Sequence, residues 1–275
     1  MSQVMRVNRA SNSINKADTP LVVSIFSATV QNLFIAIILF PSALFADEFL
    51  CGIAKGYPPY QFQNANNEAI GFDVDILSMV ASESGLPLKI HQDEWDNVVG
   101  TMTFTDKLHC IGGMEITPRR QQLFDFTPPY YERKIVVFAL SSNQKMNALS
   151  DLIGQPVTGD DDSSIENLLL EQGLRGDIRI KRTKSKEQSM ELLASGFFQA
   201  MIAPKTVGLH LAKQQGVKVK IIYQSEHVSP VAIAVPKGNP ILLNTLSKGI
   251  EKLISQGEIS ASYQQWFSND IAAVK

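Results

Sequence analysis

The chain has 275 residues, 44% of them apolar and 19% charged, which excludes disordered, collagen-like and coiled-coil chains. Its formal net charge of −2 gives no bulk attraction for phosphate backbones, so no nucleic-acid partner is expected. A chain of this length suits two halves of roughly 100–150 residues better than one core.

In chain order, residues 1–20 are polar and carry Arg6, Arg9 and Lys16 against one acid, Asp18. Leu21 to Phe40 contains no charge, and Pro41-Ser42-Ala43-Leu44-Phe45-Ala46 precedes Asp47-Glu48. This is the pattern of a secretory leader, residues 1–46, cleaved after Ala46. A retained anchor is the alternative, because 20 uncharged residues can span a bilayer. Either way the remainder is expected outside the inner membrane, in the periplasm, with a net charge of −4 once three bases and one acid are removed.

Phe49 to Ala54 is predicted as a buried strand. Lys55 to Tyr60 is a turn, because two prolines cannot continue a ladder. Ile76, Leu77, Val80 and Ala81 recur at helical spacing, and Gly85 closes that helix. A strand over Leu86–Ile90, a helix over Trp95–Phe104, a strand over His109–Met114, a short helix over Pro118–Leu123 and a strand over Ile135–Leu140 follow. The alternation then repeats. Strands at Gln155–Thr158, Ile178–Arg182, Gln199–Ala203 and Val217–Tyr223 enclose helices at Ser164–Glu171, Lys186–Ala194 and Thr206–Gln214. A last strand, Val231–Val235, leads into a long helical tail from Pro240. Such alternation implies mostly parallel sheets in two α/β lobes. A tail packed back on the first lobe makes two chain crossings, a double-stranded hinge over a cleft. The expected segments are 47–138 for the first part of lobe 1, 139–228 for lobe 2, and 229–275 for the return strand and C-terminal helices.

The sequence holds no phosphate-binding glycine loop, nucleophile elbow, zinc-protease motif or CxxC. His91, His109, His210 and His227 share no metal-ligand spacing, and no cofactor or metal is expected. Asp160-Asp161-Asp162 reads as a solvated acidic turn before a helix. Cys51 and Cys110 lie on strands of one lobe. Two small buried thiols are the expected state, although a bridge is geometrically feasible between neighbouring strands in an oxidising compartment.

Three segments carry candidate chemistry. Gly56-Tyr57-Pro58-Pro59-Tyr60 puts aromatics on a rigid loop at a strand end, where open α/β sheets bind ligands. Trp95 opens the next helix. Gly112-Gly113-Met114-Glu115-Ile116-Thr117-Pro118-Arg119-Arg120 runs from a strand into a helix, joining accessible backbone to a guanidinium suited to an anion.

These segments, with Gly71-Phe72-Asp73-Val74-Asp75, Phe126-Thr127-Pro128-Pro129-Tyr130, Val235-Pro236-Lys237-Gly238-Asn239-Pro240 and Tyr263-Gln264-Gln265-Trp266-Phe267, resemble the family-3 periplasmic solute-binding proteins. Those proteins are the polar amino-acid receptors of ABC importers. The likeness extends over nearly all of residues 49–267. It implies two lobes closing on a small-molecule ligand, a membrane permease as partner, a monomer and no catalysis. It also implies roles. Tyr57 and Trp95 sandwich the ligand, Gly113 offers backbone, Arg120 grips an α-carboxylate, and Ser164 helps from the second lobe. Two positions depart from the family. Glu115 stands where Ser or Thr is usual, and Pro204 where an aspartate usually meets the ligand ammonium. The ammonium partner is then Glu115, or the acids at 160–162, or the ligand is not a standard α-amino acid. Glu115 is the preferred choice. Two other functions remain open at this stage. One is a cyclohexadienyl-dehydratase-like enzyme with Glu115 as general acid. The other is a ligand-sensing component of a signalling system.

Overall fold

The computed structural model describes residues 48–159 and 169–271. The expected leader, Asp160–Asp162 and Ser164 lie outside the described residues.

The first strand, β1 (Phe49–Ala54), is apolar throughout. A small hairpin, β2 (Phe62–Gln63) and β3 (Ala69–Ile70), encloses the polar loop, where the Asn64 carboxamide oxygen accepts from the Asn66 and Glu68 amides. Helix α1 (Phe72–Glu83) ends at Gly85, whose φ of 65° supplies the left-handed turn. Then come β4 (Leu88–Asp93), α2 (Trp95–Phe104), β5 (Cys110–Glu115), the short α3 (Pro118–Leu123) and β6 (Phe124–Phe126). The long β7 (Tyr131–Leu140) leads to β8 (Val157–Thr158), β9 (Ile180–Lys181), α4 (Lys186–Ala194), β10 (Ala200–Pro204) and α5 (Lys205–Gln214). The chain returns through β11 (Val219–Pro236) and closes with α6 (Pro240–Gln256) and α7 (Glu258–Ile271), separated by Gly257 at φ 76°.

One hydrogen-bonded path runs β4-β1-β5-β11-β7-β10-β8-β9, with β6 also on β11. At its two ends β1 pairs in parallel with β4 and β5, and β8 in parallel with β9 and β10. Between them β7 and β11 run antiparallel to each other and to their neighbours. The two expected crossings, at 138/139 and 228/229, fall inside these two strands. The tail packs on α1. There Trp266 Nε1 donates to Asp75 Oδ2 at 2.7 Å and Lys252 pairs with Glu83.

The central strands bury both faces, which explains their unbroken apolar runs. Val136 and Phe138 of β7 face a core shared with Met190, Leu193 and Val207. Ile135, Val137 and Ala139 face the opposite core with Leu152 and Ile202. A third cluster packs α2 on β5 through Val98, Met102 and Ile111.

Two expectations are corrected. The stretches read as separate strands at 217–223 and 231–235 belong to a single 18-residue strand. A register shift between Gln224 and Val228 absorbs the polar stretch, and Pro230 beyond it pairs in register with Glu132. Pro230, which has no N–H, still accepts from the Ile116 amide at 2.8 Å. The cysteines are not free thiols. Cys51 and Cys110 stand opposite each other in register on β1 and β5, 4.6 Å apart at Cα, and form a disulfide. Parallel neighbours in register turn their side chains to the same face, which brings the sulfurs together.

The bridge closes a loop with a sequence separation of 59 residues. Replacing both cysteines by alanine is expected to lower stability by roughly 2–4 kcal/mol. Urea denaturation of the oxidised protein and the double variant measures this, and equal midpoints would show that the bridge adds nothing.

Candidate ligand-binding site

Three strand ends and one long strand meet in a cleft. After β1 the chain turns tightly, with the Tyr57 amide donating to the Gln61 carbonyl at 2.8 Å and the Tyr60 amide to the Tyr57 carbonyl at 3.1 Å. This turn aims the Tyr57 ring into the cleft. Trp95 takes the first position of α2. Past β5, Thr117 caps α3 by accepting the Arg120 amide at 3.3 Å, and Pro118 takes the first helical position. Arg120 therefore folds back, its Nη1 donating to the Glu115 carbonyl at 3.2 Å and its Cζ lying 5.4 Å from the Trp95 ring centre.

A cavity of about 110 Å³ is lined by Tyr57, Trp95, Gly113, Glu115 and Arg120 together. From the other half come Arg182, Thr183, Ser185, Ile202 and Pro204. Five of the six residues singled out in the sequence thus share one cavity, and Ser164 lies outside the described residues. Pro204, the expected departure, ends β10 on the cavity wall. No acid belongs to that position.

Beneath the cavity lies a polar web that sequence reasoning missed. Asp73 is fully buried. Its oxygens accept from Gln61 Nε2 at 2.6 Å, Tyr130 Oη at 2.7 Å, Tyr131 Oη at 3.2 Å and Arg133 Nη2 at 3.3 Å. Arg133 lies against the rings of Tyr57, Tyr60 and Tyr131, 4.7–5.0 Å from their centres, and reaches 3.9 Å from Glu115 Oε1 with Nη1. Burial pushes the Asp73 carboxyl above its ordinary range, while Arg133 and the three hydrogen-bond donors pull it back. Burial works against the Arg133 charge, but Tyr131, Tyr57, Asp73 and Glu115 outweigh it and raise its pKa well above the usual value. Gly113 has φ 66°, and a Cβ there would overlap Gln61 Nε2 and Asp73 Oδ2. Its lack of a side chain lets the cavity wall close on this web.

Contacts also cross the cleft. The Lys186 amide donates to the Gly56 carbonyl at 3.2 Å, and Arg182 Nη1 stands 3.8 Å from Asp96 Oδ2. A Cβ on Gly56 would come within 2.7 Å of Ser185 Cβ and of Glu187 Oε2. The second half meets the first at a bare backbone, so the cleft is shut. Among the described residues no group of His, Cys, Asp and Glu could hold a metal ion. His109 is structural, accepting the Leu50 amide on Nδ1 at 3.0 Å.

The sequence profile of the bacterial extracellular solute-binding proteins, family 3, matches residues 49–269. The arginine-binding protein 1 of an ABC transporter from Escherichia coli (strain K12) is 24% identical over 81% of this chain and 91% of its own. An L-cystine-binding protein from the same organism is 22% identical over 81% of this chain and 83% of its own. A solved structure of an ancestral arginine-binding protein bound to arginine is 26% identical, covers 80% of this chain and 98% of its own, and superposes with a TM-score of 0.74. This chain belongs to family 3 of the bacterial extracellular solute-binding proteins. The expected fold, two α/β lobes on a shared pair of strands, is the one found.

Glu187, beside Ser185 at the contact with Gly56, gives a pH dependence. Burial raises the Glu187 carboxyl above its ordinary range, Glu191 adds to this, and Ser185 and His210 oppose it. A raised acid stabilises the fold fully below its unfolded pKa and loses that contribution as pH rises through its folded value. Glu187→Gln removes this loss, so its melting temperature relative to the wild type is expected to climb between pH 4 and pH 7. A difference independent of pH would contradict the assignment.

Proposed function

We propose that this protein is an exported receptor that captures an amino acid or a related small carboxylate and delivers it to the permease of an ABC importer. The observation that carries the reading is Arg120. Its guanidinium lines the cavity beside Trp95 and, among the described residues, donates to a backbone carbonyl rather than a carboxylate. A guanidinium fixed in this way is ready for a bidentate carboxylate. The relatives support the ligand class, since their names specify arginine and cystine.

The mechanism is closure. A ligand that touches both halves only when they meet stabilises the shut form by its differential affinity. The segments 47–138 and 229–275 move as one body against 139–228, and β7 and β11 flex between them. Gly113 offers backbone to the ligand, and Ser164 adds a hydroxyl from the second lobe. On this reading residues 1–46 are an export leader, the protein acts in the periplasm, and it works as a monomer. Neither bond making, a cofactor nor nucleic acid enters this role. Among the described residues no helix is long and apolar enough to cross a membrane.

Thermal melting with each of the twenty amino acids tests the reading. A true ligand at 100 times its Kd is expected to stabilise the protein by about 2.7 kcal/mol. Arg120→Ala should weaken its binding by about 2–5 kcal/mol. Melting curves unmoved by any amino acid or small carboxylate would refute the receptor. Turnover of a cyclohexadienyl carboxylate, lost in Glu115→Gln, would favour the dehydratase instead.

A further inference from the structure

If Arg120 holds the carboxylate of an α-amino acid, the ammonium lies a few ångströms away in the same closed cavity. A desolvated ammonium needs an anionic partner, since the cost of burying it alone is several kcal/mol. Pro204 offers no such group from the second half.

Glu115 does. It ends β5 and is only 4% exposed, yet it lines the cavity. Its backbone carbonyl holds Arg120, so one residue touches both ends of the expected headgroup. Its Oε1 lies 3.9 Å from Arg133, a loose distance, whereas Asp73 stands 3.3 Å from that guanidinium. Arg133 is therefore balanced first by Asp73. Oε2 of Glu115 is buried and has no hydrogen-bond donor among the described residues. An unpartnered buried acceptor costs about 1–3 kcal/mol, and more when charged. An incoming N–H donor removes that cost.

We propose that Glu115 receives the ligand ammonium. This rests on the receptor reading above and deepens it. Both charges of the zwitterion are then held by one strand-to-helix segment of the first half, Glu115 to Arg120. The headgroup docks on that half alone. The second half, through Arg182 to Ser185 and Ile202 to Pro204, surrounds the rest of the ligand and latches at Gly56 and Asp96. The amino group thereby becomes a requirement for tight binding that does not depend on closure.

Calorimetry separates the assignment from its foundation. The ligands are the twenty L-amino acids and, for each that binds, the 2-hydroxy acid with the same side chain. The wild type is expected to prefer the amino acid. Glu115→Gln should weaken amino-acid binding by about 30-fold or more while leaving the hydroxy acid within about threefold. Retained hydroxy-acid binding also shows that the site is folded. Glu115→Asp, which keeps the charge, should keep the preference for the amino acid, and it serves if the glutamine variant does not fold. Amino-acid binding that survives Glu115→Gln undiminished overturns this assignment alone. A wild type that binds small carboxylates and none of the amino acids also overturns it and leaves the anion grip standing. A wild type that binds neither class removes the receptor reading, and the assignment with it.

Discussion

Arg133 is buried near the start of β7, on the wall of the cavity, and a guanidinium can stay there only because Asp73 and three tyrosine rings pack against it. Removing one partner of such a buried pair costs about 3–5 kcal/mol, because the other charge is left uncompensated. The cleft inherits its shape from this constraint. Tyr57 is held in place by the cation beneath it. Gly113 must lack a side chain because the web occupies that space. Glu115 turns one oxygen toward Arg133 and leaves the other buried without a hydrogen-bond donor among the described residues. The floor is thus fixed by charge pairing, and Arg120, Trp95 and Glu115 are among the side chains that line the cavity with it.

The second constraint is mechanical. β7 and β11 belong to both halves of the sheet, and their pairing is continuous apart from register shifts at Ile221–Tyr223 and Gln224–Val228. A two-stranded connection permits bending without unpairing the parallel strands on either side. The rigid parts flank it, with the Cys51–Cys110 bridge on one side and the α4–α5 layer on the other. Closure brings backbone against side chain at Gly56, a position where any Cβ would hold the halves apart.

Much of this was legible in the sequence. Apolar runs such as Phe49–Ala54 mark strands buried on both faces, and the helix expected over Trp95–Phe104 has those limits. Five of the candidate site residues converge because Tyr57, Trp95 and Arg120 follow the ends of β1, β4 and β5 while Gly113 and Glu115 lie in the last residues of β5, and strand ends share one side of a parallel sheet. What stayed hidden depends on distant pairing. Asp73 meets Tyr130, Tyr131 and Arg133 across 57–60 residues of chain, and Arg133 sits between the charged Glu132 and Lys134 with no local sign that it points inward. The disulfide was hidden for the same reason, since it needs the register of β1 on β5. The single β11 was obscured by Pro230 and its polar neighbours, which look like a turn until a partner strand accommodates them.

The most direct test is a crystal structure with an amino acid bound. The account predicts its carboxylate paired with Arg120 between Tyr57 and Trp95, and its ammonium within hydrogen-bond distance of Glu115 Oε2. A ligand whose carboxylate lies away from Arg120, or whose ammonium is held by the second half alone, would contradict it.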